Sequence, residues 1–245
     1  LPFILREVKG PIYGTALTLG LVGEKLQEAG LSEEADLRRI RPRERVHLGN
    51  MEVEFIRVCH SIADGVGLAI QTPAGLVVHT GDFKLDQSPV DGKFTDLHRF
   101  ADLGEQGVLL LLSDSTNADQ EGSTPSERSL GEVLEEIFRQ AKRRIIVACF
   151  ASNIHRIQQV FQVAARLGKK VAVNGKTMVA NVRIALELGY LDVPNGTMLP
   201  LEEIRNLPPE RVLILTTGSQ GEPLSAISRM AMGEHKQIQV QQGVT

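Results

Sequence analysis

Residues 66–82 read VGLAIQTPAGLVVHTGD. Two apolar runs flank Pro73-Ala74-Gly75, a tight-turn signal, so the stretch predicts an antiparallel hairpin. Its second strand leads through His79 and Thr80 into Gly81 and Asp82, with Lys84 close behind. The plain reading is a turn, because Gly accepts positive φ and Asp bonds its own backbone. The sharper reading is a ligand held at the mouth of a sheet. His60 follows the run VEFIRVC (53–59) and opens HSIADG, one hairpin-sized segment away, so His60 and Asp82 can converge. Imidazole and carboxylate are the usual ligands of a hydrolytic zinc or manganese ion. Two ligands do not hold a catalytic zinc, which takes three and an open position. From the residues alone, a structural His and a turn Asp stand beside the metal reading.

Working outward, the first part of the chain is strand-rich. LPFILREV (1–8) reads as an amphipathic helix with no cap before it, and PIYG (11–14) as a short strand. LTLGLVGEKLQEAG (17–30) has helical period and stops at Gly30. VLLLLSD (108–114) is a continuous apolar run, which predicts a strand covered on both faces. It ends on Asp114, a charge that is costly there unless paired or at the sheet mouth. Asp114 is therefore a candidate functional carboxylate.

The grammar changes at the polar, Gly/Ser-containing segment STNADQEGSTPSERS (115–129). Thr124, Pro125 and Glu127 there read as the N-cap, first turn and capping-box acid of a helix. Strands RIIVACF (144–150), KVAVN (170–174) and RVLILTT (211–217) then alternate with helices near 153–167, 177–189 and 222–232. Repeated βα units predict a parallel, doubly wound sheet. Ligands in such sheets bind beyond the carboxyl ends of the strands. The loops there carry Ser152, Asn153, Lys176, Gly218, Ser219 and Gln220, the candidates for phosphate contact. Gly-Ser-Gln-Gly before a helix offers backbone N–H groups to an anion, although such loops also serve simply to reverse the chain.

The totals set limits. The chain has 245 residues, 42% hydrophobic and 23% charged, as in an ordinary globular protein. A net charge of −3 gives no global basic signature, so nucleic acid would need a local patch. The two cysteines, Cys59 and Cys149, make no disulfide framework, and the natural setting is reduced and cytoplasmic. Cys59 reads as a small buried strand residue, while His47, His98, His155 and His235 read as surface or helix-cap residues. No apolar run reaches membrane-spanning length. Both ends read as cut, so the chain reads as an internal piece of a longer protein.

Together PIYGTALTLGL, HSIADGVGLAIQTPAGLVVHTGDFK, LLLLSDSTNA, CFASNIHRIQQV and TTGSQGEPLSAISRMA resemble bacterial ribonuclease J, an RNA-processing branch of the β-CASP metallo-β-lactamase superfamily. The resemblance implies an α/β fold in two parts. Residues 1–117 would be a partial metallo-β-lactamase αββα sandwich. Residues 118–245 would be the inserted β-CASP domain, with its parallel doubly wound sheet. It implies that His60 and Asp82 are metal ligands, Asp82 bridging two zinc ions, and that Asp114 orients the site from behind them. GSQGE (218–222) would lie on an RNA-facing surface. The implied activity is metal-dependent hydrolysis of RNA phosphodiesters, by 5′→3′ exonuclease and endonuclease action, in rRNA processing and mRNA decay. Homodimers or homotetramers are implied as well.

The sequence also departs from the family's pattern. The HxHxDH metal motif and the two later β-CASP His motifs are absent from these 245 residues. Ala63 stands where Pro is usual, and Lys176-Thr177 where Arg-Ser is usual; Lys lacks the bidentate fork of Arg. The segment as it stands is expected to be inactive alone. A small-molecule metallo-hydrolase of the same superfold and a non-catalytic RNA-binding remnant are the alternatives. Residues 1–115 are expected to aggregate or stay molten alone, through exposed apolar strands and unpaired edges, whereas 120–235 can fold by themselves.

Overall fold

The computed structural model describes all residues except 222–224, 236, 237, 239, 241 and 242; of Arg205 only the backbone is described. The chain forms two compact units, Leu1–Ser126 and Glu127–Thr245. Both are mixed α/β.

In the first unit, helix α1 (Pro2–Glu7) precedes strand β1 (Pro11–Gly14), helix α2 (Ala16–Glu28) and strand β2 (Asp36–Arg39). β1 and β2 pair in parallel, and Leu5, Leu26 and Leu31 form the small core beside them. Strands β3 (Arg45–Leu48), β4 (Met51–Arg57), β5 (Val66–Thr72), β6 (Gly75–His79) and β7 (Leu110–Leu112) then form one sheet in chain order. The first four are antiparallel, and β7 runs parallel to β6. Helix α3 (Leu97–Gln106) enters between β6 and β7. Period-two alternation sends Ile56, Ala69 and Val78 to one face, with Leu103 of α3, and Val53 and Phe55 to the other, with Ile40.

The predicted hairpin is present as β5–β6, with Thr72 opposite Gly75. The Thr72 hydroxyl closes the turn: it accepts the N–H groups of Ala74 and Gly75 and donates to the Gly75 carbonyl. VLLLLSD departs from expectation. Only Leu110–Leu112 is strand, it lies at the sheet edge, and Leu109 and Leu111 are 62% and 59% exposed. An apolar run states what a strand needs for burial; whether other elements supply it is decided elsewhere in the fold.

In the second unit, helix α4 (Leu130–Gln140) leads to strand β8 (Ile145–Ala148), helix α5 (Ile154–Arg166), strand β9 (Lys170–Val173), helix α6 (Lys176–Glu187), strand β10 (Val212–Thr216) and helix α7 (Ala226–Ala231). The three strands are parallel, in the order β8-β10-β9. β8 to β9 steps across the sheet in one direction and β9 to β10 steps back. Right-handed crossovers therefore put α5 and α6 on opposite faces, which is the doubly wound arrangement. α5 buries Ile157, Val160, Phe161 and Ala164, the i, i+3, i+4, i+7 stripe of a helix packed on a sheet. The cap expected at Thr124 is not formed. The α4 helix starts at Leu130 after a 3₁₀ turn over Glu127–Ser129. Glu127 instead takes both Nε and Nη2 of Arg156 at 2.8 and 3.1 Å, and this ion pair outcompetes a reach back to its own backbone. Among the described residues no helix is long and apolar enough to cross a membrane.

Candidate functional site

His60 follows β4, three residues beyond its last strand residue, and is half-buried. Its neighbour Cys59 forms an isolated antiparallel bridge with Lys84, and the Lys84 N–H donates to the Cys59 carbonyl at 2.8 Å. Continuing that antiparallel sense sets His60 against Phe83, one residue from Asp82. Asp82 is exposed, in the turn after β6. Gly81 makes this turn possible: its φ is +63°, and an added Cβ would stand 2.9 Å from the Val66 carbonyl oxygen. The Gly81 N–H donates to Nδ1 of His79 at 3.0 Å, so His79 closes the turn through that nitrogen.

Asp114 lies just past β7, and the β6–β7 pairing brings it to the same end of the sheet. The Thr80 hydroxyl accepts the Asp114 N–H at 3.0 Å, and the Thr80 N–H donates to the Leu112 carbonyl, which locks Asp114 beside the Asp82 turn. The Thr116 N–H and hydroxyl, at 2.9 and 2.7 Å, hold the Asp114 carboxyl below its ordinary range. The Phe83 N–H and the charge of His60 act in the same direction. Asp114 is thus an ionised carboxylate within electrostatic reach of His60 and beside Phe83. Asp64, buried in the HSIADG loop, accepts the Leu17 N–H at 2.9 Å and ties that loop to the start of α2.

The donor types at this edge, an imidazole and carboxylates, fit a divalent ion in kind. Among the described residues, no three His, Cys, Asp or Glu side chains are grouped to hold one. Thr80, Thr95 and Asp64 were not singled out from the sequence. Thr80 and Asp64 sit inside the HTGD and HSIADG motifs, where a search for hydroxyl and carboxylate partners could have found them. Thr95 carries no local signal.

The phosphate candidates of the second unit share the carboxyl edge of its parallel sheet. Asn153 caps α5 with its side-chain oxygen on the Arg156 N–H at 3.1 Å and is buried, while Ser152 beside it is half-buried. Lys176 is exposed in the first turn of α6, after Gly175, whose φ is +97°. Gly218 is buried after β10, and Ser219 and Gln220 are exposed. The Gly221 N–H is taken by the Gly218 carbonyl at 3.0 Å, so that amide is not offered to an anion. Glu222 lies outside the described residues, as do the first residues of the helix expected from 222.

Two of the remaining histidines fit the surface reading, since the side chains of His47 and His98 are 76% and 87% exposed. His155 does not: it is buried within α5, as is Gln159 one turn on. His235 is half-buried, its Nδ1 accepting the Ile238 N–H at 3.1 Å, and burial lowers its pKa.

Against this geometry, a family profile described as the β-CASP domain of ribonuclease J matches residues 142–245. Ribonuclease J of Synechocystis sp. is 50% identical over 235 residues, covering 96% of this chain and 37% of the relative. Ribonuclease J of Thermus thermophilus is 46% identical over 252 residues, covering 100% of this chain and 44% of the relative. Ribonuclease J2 of Bacillus subtilis is 41% identical, covering 99% and 44%. The chain thus spans less than half the length of the curated relatives it matches. A crystal structure of a protein of unknown function from Enterococcus faecalis shares the fold at a TM-score of 0.61 and 14% identity, covering 84% of this chain and 52% of that one.

Proposed function

We propose, for a chain that belongs to the ribonuclease J family, that it carries part of the hydrolytic centre of a metal-dependent ribonuclease. The observation that carries this reading is the meeting of the His60 segment, the Asp82 turn and Asp114 at one end of the five-stranded sheet. His60 and Asp82 are the ligands in this reading, and Asp114 is the carboxylate that holds their surroundings in place. A divalent ion there would supply Lewis acidity and a water of lowered pKa. What the chain's own residues do is orient: the Cys59–Lys84 bridge presents the imidazole, the Gly81 turn projects the carboxylate, and the Thr80 hydroxyl keeps Asp114 beside both.

The finer assignments belong to the same proposal. Residues 1–117 are read as part of the metallo-β-lactamase domain and 118–245 as the β-CASP domain. Two zinc ions, 5′→3′ exonuclease and endonuclease action, roles in rRNA processing and mRNA decay, a cytoplasmic setting and a homodimeric or homotetrameric assembly complete it. Ser152, Asn153, Lys176, Gly218, Ser219 and Gln220 are the RNA-facing set. Exposed Lys176 contributes a point charge to phosphate, and Asn153 acts by starting α5 where it does.

The test is cleavage of 5′-monophosphorylated RNA by the whole protein, with and without chelator. Loss of activity on chelation, and a fall for His60→Ala or Asp82→Ala beyond the about 10–100-fold typical of residues behind metal ligands, is the expected result. Cleavage of small esters or thioesters in preference to RNA would replace this reading with a small-molecule hydrolase. RNA binding without cleavage would replace it with a binding module.

A further inference from the structure

Cys59 and Lys84 face each other in an isolated antiparallel bridge. A hydrogen-bonded antiparallel pair exchanges two N–H···O=C bonds. Here one of them is direct, from the Lys84 N–H to the Cys59 carbonyl at 2.8 Å. In place of the return bond stands a side chain. The Thr95 hydroxyl accepts the Cys59 N–H at 2.8 Å and donates to the Lys84 carbonyl at 3.0 Å. The direct bond lies on the side toward His60 and Phe83, and the inserted hydroxyl on the side toward Val58 and Leu85. The two segments are thus joined directly on the side of the site and through the Thr95 hydroxyl behind it.

Thr95 is well placed to act as such a spacer. It is buried, at 7% exposure. The next residue, Asp96, donates its N–H to the Arg57 carbonyl at 3.0 Å, caps α3 by accepting the Arg99 N–H, and receives Arg43 at 2.7 and 3.0 Å. Arg99, one helical turn on, makes two bonds to the buried Glu54 of β4 at 2.8 and 2.7 Å. The segment Thr95–Arg99 is thus pinned to the strand that delivers His60, and the hydroxyl is held at a fixed height between the two site segments.

We propose that Thr95 is a positioning residue of the hydrolytic site, its hydroxyl setting the angle at which the His60 and Asp82 segments converge. This rests on the reading of His60 and Asp82 as metal ligands. Thr95→Val keeps the shape of the side chain and removes the hydroxyl, whereas Thr95→Ser keeps the hydroxyl. In the whole protein, Mn2+ affinity is measured by calorimetry alongside RNA cleavage, at a temperature where circular dichroism shows each variant folded. The expected result is a loss of about 10–100-fold in Mn2+ affinity for Thr95→Val, restored by Thr95→Ser. If Thr95→Val does not fold, Thr95→Ala is measured in its place with the same expectation. A wild-type protein that binds Mn2+ while the folded hydroxyl-free variant binds it equally well overturns this inference alone. A wild-type protein that binds no Mn2+ overturns the ligand reading, and this inference with it.

Discussion

At the scale of single residues, the first unit is organised by charges taken out of water in pairs. Glu54 is 5% exposed, and burial alone would raise its pKa. Arg99, with help from Arg45 and Arg43, overrides this and holds the carboxyl below its ordinary 4.5. Replacing Glu54 by Gln leaves the Arg99 guanidinium with only the more distant Asp102 carboxylate, at 3.7 Å, a loss of about 3 kcal/mol, the low end for a broken buried pair, to be read from urea denaturation. Because the folded pKa is depressed, the pair's contribution is present above 4.5 and lost as pH falls through the lowered value. The stability gap between wild type and Glu54→Gln should therefore narrow as pH drops below 4.5. An unchanged gap under acid would show that the pair does not carry the difference. The thiols give a second check. Burial pushes Cys149 up to about 11 and also raises Cys59. Since the thiolate is the reactive form, neither should be alkylated by iodoacetamide in the native protein at about pH 8, and both should react in denaturant.

At the scale of elements, the site depends on how closely β5 approaches the turn after β6. A Cβ on Gly67 would stand 2.7 Å from the Thr80 carbonyl oxygen and 2.9 Å from that of His79. Both are backbone atoms, and they belong to the turn that carries Asp82. Gly67→Ala should cost about 1–3 kcal/mol through overpacking and, under the proposed function, should weaken RNA cleavage by the whole protein at temperatures where it remains folded. A variant with wild-type stability and activity would show that the turn can shift without consequence. In the second unit, Gly218 has φ +107°, and an added Cβ would meet Ile227 Cγ2 at 2.6 Å. Gly218→Ala is thus strained in its backbone and blocked by its neighbour. It should lower the melting temperature, whereas Ser219→Ala, at an exposed position, should leave it unchanged.

At the scale of the whole molecule, the two units differ in how completely they cover themselves. β10 is central in its sheet and buried at all five positions, with α5 and α6 on opposite faces. β7 is an edge strand whose three residues are all exposed leucines. An exposed apolar edge is a template for pairing with another chain. Residues 127–245 expressed alone should melt cooperatively, and residues 1–126 alone should associate. A monomeric, cooperatively melting 1–126 would contradict this. Leu111→Lys should reduce the association by placing a charge on the edge.

The strand–helix alternation, the β5–β6 hairpin and the parallel sheet of the second unit follow from periodicity and turn chemistry, which are local and so legible along the chain. The family resemblance also named His60, Asp82 and Asp114, because their motifs are contiguous. The Thr124 cap misled because the same glutamate had a stronger partner 29 residues away in Arg156. The exposure of VLLLLSD could not be read because apolarity records a demand for burial and says nothing of what meets it. Thr95 was invisible for a related reason. Its hydroxyl bridges residues 36 and 11 positions distant, and only the tertiary structure brings Cys59, Lys84 and Thr95 together. Elements are decided by interactions within a few residues of chain, whereas the separation between site segments is decided by hydrogen bonds that close long loops.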